Sequence, residues 1–353
     1  MSRADLLRLS SALAIGTVGG GMFFALNMPL AWMMGAMVLT TIAALSGVPL
    51  HVPGRLRSVM VAILGVLLGS TFTPEAMDKV AEWPITLASL ALYLVLVTGM
   101  LYIYFRRVMG FDPATAYFSA TPGGLNEMVI VGRAMGGDDR AIALVHGARV
   151  LLVVLTLPFW FRYAYGVGSA GGGAGTGTLA GLGWFDGSVL LACLIVGPPV
   201  GKLLRLPAYR LVGPMLASAA VHIAGVTASA PPWELVAMAQ VVVGSAIGAR
   251  FAGAPLRWVL KIIAASIGST SLLLGATVGF ASVLAPLSGI AFAPVVLAFA
   301  PGGLAEMSLI ALALGIETAF VATHHVARIA MIVIAAPLVF RKLEIKRPDN
   351  RSG

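Results

Sequence analysis

Residues 121–128 read TPGGLNEM, and residues 300–307 read APGGLAEM. The agreement runs far beyond these eight residues. At the same offset of 179, Gly136 falls on Gly315, His146 on His325, Arg149 on Arg328, Pro158 on Pro337 and Arg162 on Arg341. Upstream, Gly65, Gly69 and Phe72 fall on Gly244, Gly248 and Phe251. Further upstream the offset becomes 178, and Gly19, Pro29, Gly35, Met37 and Gly47 fall on Gly197, Pro207, Gly213, Met215 and Gly225. Shared apolar composition would not align His, Arg, Glu and Pro together over this length, so the chain is a duplicated unit. Its halves are 1–164 and 184–345, joined by a Gly-rich, uncharged and flexible linker at 165–183 and followed by a basic tail at 346–353.

Each half carries six hydrophobic segments. They fall near 7–26, 29–47, 56–73, 83–105, 113–135 and 141–163 in the first half. In the second they fall near 184–204, 207–226, 234–251, 257–282, 289–315 and 319–340. A helix needs about 20 apolar residues to cross the hydrocarbon of a bilayer. The chain is 59% hydrophobic and only 10% charged, against about 25% charged in a typical soluble domain, so it lacks the polar surface to face water all round. It reads as an all-α polytopic membrane protein. The fifth segment of each half is interrupted at Pro122–Gly124 or Pro301–Gly303. Proline removes a donor and glycine frees the backbone, so two half-helices are expected there, either re-entrant or discontinuous across the membrane. The expected plan is about five transmembrane helices plus one broken segment per half. The first segment, after Arg3 and Arg8, superficially resembles a signal peptide, but its counterpart at 184–204 marks it as part of the repeat. The single cysteine, Cys193, lies in an apolar segment and reads as packing.

A net charge of +9 does not point to nucleic acid here. Apart from the C-terminal cluster of Arg341, Lys342, Lys346, Arg347 and Arg351, the basic residues stand singly or in pairs at the ends of apolar runs, as topology signals do. If each broken segment returns to its starting side, the halves run in opposite directions. All of the 23 lysines and arginines except Lys79, Arg162, Arg149 and Arg328 then fall on the cytoplasmic face. If it crosses fully, the repeats are parallel and Lys202, Arg205 and Arg210 move outside. The positive-inside rule favours inverted repeats with both termini cytoplasmic and the linker outside.

The second half-helix of each broken segment starts near Leu125 or Leu304. It presents unpaired N–H groups and a partial positive charge, which suit an anion when buried. Glu127 and Glu306 lie in that first turn. In one reading each glutamate caps its own half-helix. In the other, at least one has a transport role, because an ionisable group at membrane depth is costly and functional by default. His146 and Arg149 stand three residues apart on one helix face, and His325 and Arg328 repeat the arrangement. Each arginine either pairs with the glutamate of its half, tying hairpin to helix, or faces an anionic substrate while Glu or His accepts a coupling proton. Asn126 precedes the first glutamate where Ala305 precedes the second, so Glu127 with Asn126 is the expected binding side and His146 with Arg149 the nearby coupling pair. The candidate site is Pro122, Gly123, Gly124, Asn126, Glu127, His146 and Arg149, with Pro301, Gly302, Gly303, Glu306, His325 and Arg328. The pairs Gly65/Gly69 and Gly244/Gly248 read as close helix packing. Asp138, Asp139 and Glu317 read as caps of the sixth helices, His222 reads as structural, and His51 and His324 have no assignable partner.

The doubled PGG-x-x-E-M motif, each followed by a His-x-x-Arg helix, resembles the bacterial AbrB-type membrane family over nearly the whole chain, internal duplication included. The resemblance implies an inner-membrane protein, sometimes described as a regulator of gene expression, related to cation:proton antiporters and anion transporters. The label "ammonia monooxygenase" that family members often carry does not fit, since five scattered histidines and one cysteine offer no copper site. A small soluble DNA-binding regulator shares the family's name and is a different kind of protein. The expected function is a secondary transporter of a small anionic or weakly charged solute, coupled to protons, with its site at the two breaks. The alternative is a non-transporting inner-membrane sensor that affects gene expression. With no nucleophile or metal constellation, no enzymatic activity, cofactor or metal is expected. The expected partners are the lipid bilayer and a small-molecule or ion substrate, without nucleic acid, and a homodimer is expected by analogy with elevator-type transporters.

Overall fold

The computed structural model describes residues 2–165 and 177–345. The first half holds α1 (Arg3–Ala25), α2 (Ala31–Leu45), α3 (Gly54–Gly69), a short α4 (Pro74–Asp78), α5 (Pro84–Val108), the half-helices α6 (Pro113–Ala120) and α7 (Leu125–Ala134), and α8 (Asp139–Tyr165). The second half holds α9 (Trp184–Leu203), α10 (Tyr209–Ile223), α11 (Trp233–Gly248), α12 (Leu256–Ser288), the half-helices α13 (Phe292–Phe299) and α14 (Leu304–Ala313), and α15 (Thr318–Ile345). No strand occurs among the described residues. The basic tail 346–353 and linker residues 166–176 lie outside them. The described end of the linker is tied down, because Trp233 N–H donates to the Gly177 carbonyl and Leu179 N–H to Glu234 Oε2.

The duplication is visible in backbone and packing. Asn27 and Leu30 adopt left-handed conformations (φ 52° and 48°), and so do their counterparts Arg205 and Ala208 (φ 55° and 47°). Such conformations cost a non-glycine residue about 1–2 kcal/mol, so their recurrence reflects one inherited corner between helices. A Cβ on Gly19 would fall on the Gly35 carbonyl and the reverse, joining α1 to α2; in α9 and α10 a Cβ on Gly213 would fall on the Gly197 carbonyl, and one on Gly197 on the backbone of Pro214. Contacts between halves occur twice with partners exchanged. Gly65 and Gly69 of α3 lie on the carbonyls of Leu211 and Met215, while Gly244 and Gly248 of α11 lie on those of Met33 and Met37. The GxxxG pairs are therefore packing sites, as expected, and the packing they build crosses the halves.

Among the described residues, seven helices are long and apolar enough to cross a membrane. The protein is a multi-pass membrane protein. Helices α2, α3 and α10, with 15, 16 and 15 residues, are shorter than the expected spans. At about 1.5 Å per residue they reach only about 22–24 Å. Protein covers them: nine of the fifteen residues of α2 are buried, against four of twenty-three in α1.

Both broken segments part where the prolines stand, at residues 121–124 and 300–303. The first is a hairpin. The backbone N–H of Asp138, beyond α7, donates to Thr115 Oγ1 in the first turn of α6 at 2.8 Å, so the chain returns to where it entered. Asp112 caps α6 by accepting from Thr115 N–H, and Asp138 caps α8 by accepting from the N–H groups of Arg140 and Ala141. The other two expected caps differ. Asp139 pairs with Arg133 at 3.5 Å, and Glu317 faces Lys79 at 3.9 Å. Burial pushes the Glu317 carboxyl above its ordinary value, with Lys79 opposing and Glu82 adding to the shift.

Candidate functional site

A cavity of about 630 Å³ lies where the two breaks meet. Gly123, Gly124, Asn126, Glu127, His146 and Arg149 line it from the first half, and Pro301, Gly302, Gly303, Glu306 and Arg328 from the second. Pro122 and His325 are buried outside the lining. The structure thus brings the two motifs to one site. It adds three residues that sequence reasoning took only as topology signals: Arg57 from α3, Arg210 from α10, and Arg250 just after α11. Arg210 is exposed and donates to Ser58 Oγ at 2.7 Å, so it marks the mouth, while Arg57 and Arg250 are half-buried in the wall.

Glu127 and Glu306 occupy the third position of α7 and α14, behind the N-caps Gly124 and Gly303. Each carboxylate folds back over its own N-cap, because a Cβ on Gly124 would fall on Glu127 Oε2, and one on Gly303 on Glu306 Oε2. This placement offsets the positive helix end and explains the second glycine of each motif. Neither glutamate pairs with the arginine of its half. The ion pairs among the described residues are Lys79–Glu317 and Arg133–Asp139.

The arginines bind their histidines instead. Arg149 Nη2 lies 2.7 Å from His146 Nδ1, and Arg328 Nη2 lies 2.7 Å from His325 Nδ1. Arginine has only donors, so each Nδ1 must accept and the ring proton sits on Nε2. From there His146 donates to the Phe118 carbonyl at 2.9 Å, and His325 to the Leu297 carbonyl at 3.0 Å. Each imidazole is a fully used neutral bridge between the first half-helix and the arginine. His324, beside it, is held between Thr86 Oγ1 and the Phe320 carbonyl, each at 2.8 Å.

The equivalent halves of the site are not in equivalent surroundings. Residues 304–311 of α14 are all buried, whereas α7 buries only Met128 and Gly132. Glu306 is 7% exposed and Ala305 6%, while Glu127 is half-buried and Asn126 exposed. Arg328 also donates to the carbonyls of Ala300 and Gly302 at 2.6 and 2.5 Å. Arg149 makes no such bonds to the corresponding Thr121 and Gly123. No group of three or more His, Cys, Asp or Glu side chains spaced for a metal occurs among the described residues.

The chain is similar to "Putative regulator AbrB" of Escherichia coli (strain K12), at 29% identity over 97% of this chain and 96% of the relative. It is also similar to "Uncharacterized protein YhjN" of Bacillus subtilis (strain 168), at 26% identity over 96% and 94%. The family model described as "Transition state regulatory protein AbrB" matches residues 32–344, a range that takes in both breaks and both His-Arg helices. This multi-pass membrane protein, with its doubled broken hairpins around one cavity, belongs to the AbrB family.

Proposed function

We propose that the protein is a secondary transporter, rather than an enzyme, that moves a small anionic or weakly charged solute through the cavity at the two breaks. The inequality of two equivalent hairpins around one cavity carries this reading. One hairpin is packed and buried against α3, and the other stands open. A carrier must present its site to opposite sides in two states, and a duplicated chain supplies the second state by exchanging the surroundings of its halves. In the exchanged state Arg149 would take the carbonyls of Thr121 and Gly123. Proton coupling falls to the carboxylates, Glu127 first, since both imidazole lone pairs are engaged by arginines. The test is solute counterflow in proteoliposomes, screened over small carboxylates, amines and monovalent cations with and without a pH gradient. Saturable flux of an anion is expected. Binding without flux of any solute would instead favour a sensor, the reading to which the regulator names lend weight.

Contacts between loops support the inverted arrangement, and the lysine and arginine distribution favours cytoplasmic termini for it. Arg210 meets Ser58 at the start of α3, and Arg140 donates to the Gly253 carbonyl just before α12. Lys79, beyond the far end of α3, meets Glu317 after the second hairpin. The second hairpin therefore leaves from and returns to the side where α12 ends, as the first does on the opposite side. With five crossings per half, the second half starts from the other face. A cysteine at Ala180 in a Cys193→Ser background is expected to react with an impermeant maleimide in intact cells. Protection until lysis would overturn the inverted topology.

A further inference from the structure

Two arginines in equivalent positions satisfy their donors differently, and the difference marks a receptor. Arg328 spends Nη1 and Nη2 on two backbone carbonyls and His325, leaving only Nε without a protein partner. Arg149 is 4% exposed, yet only Nη2 is engaged, by His146; Nε and Nη1 have no partner among the described residues. A buried guanidinium with two unmatched donors is costly unless something accepts from them. His146, anchored on the Phe118 carbonyl, holds this guanidinium at the wall of the cavity that Gly123, Gly124 and Asn126 also line. There the first N–H groups of the ten-residue α7 also lack helical partners. The wall carries five arginines, Arg57, Arg149, Arg210, Arg250 and Arg328, against two carboxylates, Glu127 and Glu306, so it stays positive with both glutamates ionised. None of these arginines is ion-paired among the described residues. A cation would be repelled, and a singly charged anion would leave most of the excess uncompensated.

We infer that Arg149, with the Asn126 amide and the start of α7, is the receptor for an oxyanion group, and that the solute is a small oxyanion of at least two negative charges. Di- and tricarboxylates and inorganic phosphate or sulfate share this chemistry. The inference narrows the transport reading and rests on it only for the steps after binding. The second break, its carbonyls already engaged by Arg328, is the supporting side in this state.

The test is equilibrium binding to the purified full chain, followed by melting temperature against added succinate, citrate, phosphate or sulfate. Acetate, an alkylamine and chloride at matched ionic strength are the controls. A saturable rise with one or more multivalent oxyanions is expected, absent with the controls, and the responding salts separate organic from inorganic substrates. Arg149→Gln should weaken this binding by about 10- to 100-fold, the worth of a charge-assisted hydrogen bond, and Arg149→Lys should restore part of it. Asn126→Ala, at an exposed position, serves if the arginine variants fail to fold, and should weaken binding by about 2- to 10-fold. Saturation by the amine, equal response to chloride, or undiminished affinity in the folded variants would overturn the assignment. Flux separates the two proposals: oxyanion binding without counterflow removes the transporter and keeps the receptor, while counterflow of a monocarboxylate without binding of any multivalent oxyanion does the reverse.

Discussion

Glu127→Gln is expected to give a folded, inserted protein that carries no flux, whereas Glu306→Gln costs stability before it costs turnover. The two are positional twins at the third position of their half-helices, folded over Gly124 and Gly303. Glutamine keeps the shape and one acceptor oxygen, so the helix start survives; it removes the charge and the exchangeable proton. At Glu127 that loss falls on a half-buried group beside exposed Asn126, on the open hairpin, where a change of charge can follow solute. At Glu306 it falls on a 7% exposed group within a buried helix, sharing the wall with Arg250 and Arg328. Removing the carboxylate leaves these arginines less compensated, a loss of about 1–3 kcal/mol. Melting and monodispersity of both variants, with counterflow at saturating solute, give the comparison. Wild-type flux in Glu127→Gln would remove it from the mechanism. Equal loss of flux in two equally stable variants would mean that the halves share the work.

The repeat, the segments and both breaks could be read from the chain because each rests on local chemistry. Proline cannot donate at Pro122 or Pro301, and no tertiary contact can restore that N–H. The i, i+3 spacing likewise put His146 and Arg149 on one face. It could not choose the partner of the arginine. That choice depends on the Phe118 carbonyl, 28 residues away, which takes the imidazole Nε2–H and leaves Nδ1 to accept from Arg149 rather than from a solvent proton. Arg57, Arg210 and Arg250 escaped for a related reason. Each ends an apolar run, the mark of a topology signal, and only the crossed packing of α3 on α10 and α11 on α2 gathers them around one cavity. The partner of His324 was equally remote, since Thr86 lies 238 residues earlier. The inequality of the two hairpins leaves traces in the sequence: Asn126 stands against Ala305 and Arg133 against Leu312, so the buried half-helix is the wholly apolar one apart from Glu306 and Ser308. What covers α14 could not be read from it, because α3, which packs against it, lies more than 200 residues earlier.

Arg328→Gln is expected to remove the state seen here. Its guanidinium, 2% exposed, serves the Ala300 and Gly302 carbonyls and His325 at 2.6, 2.5 and 2.7 Å. Glutamine is shorter and has one amide nitrogen, so at least one buried acceptor loses its donor, at a cost of about 1–3 kcal/mol for each. Because the halves are repeats, this cost need not unfold the protein. It falls only on the arrangement in which the second break is capped. In the proposed exchanged arrangement Arg149 would cap the first break, and the mouth at Ser58 and Arg210 would close. A loss of about 3 kcal/mol from one of two states changes their ratio by about 150-fold. The variant should therefore accumulate in the exchanged state. With a Ser58→Cys reporter in the Cys193→Ser background, maleimide labelling should slow sharply relative to the parent while the protein stays monodisperse. Unchanged labelling with a lower melting temperature would show that the packed hairpin is a fixed support. Exchange of the halves would then have to leave the transport cycle, and the open hairpin at Glu127 and Arg149 would have to work alone.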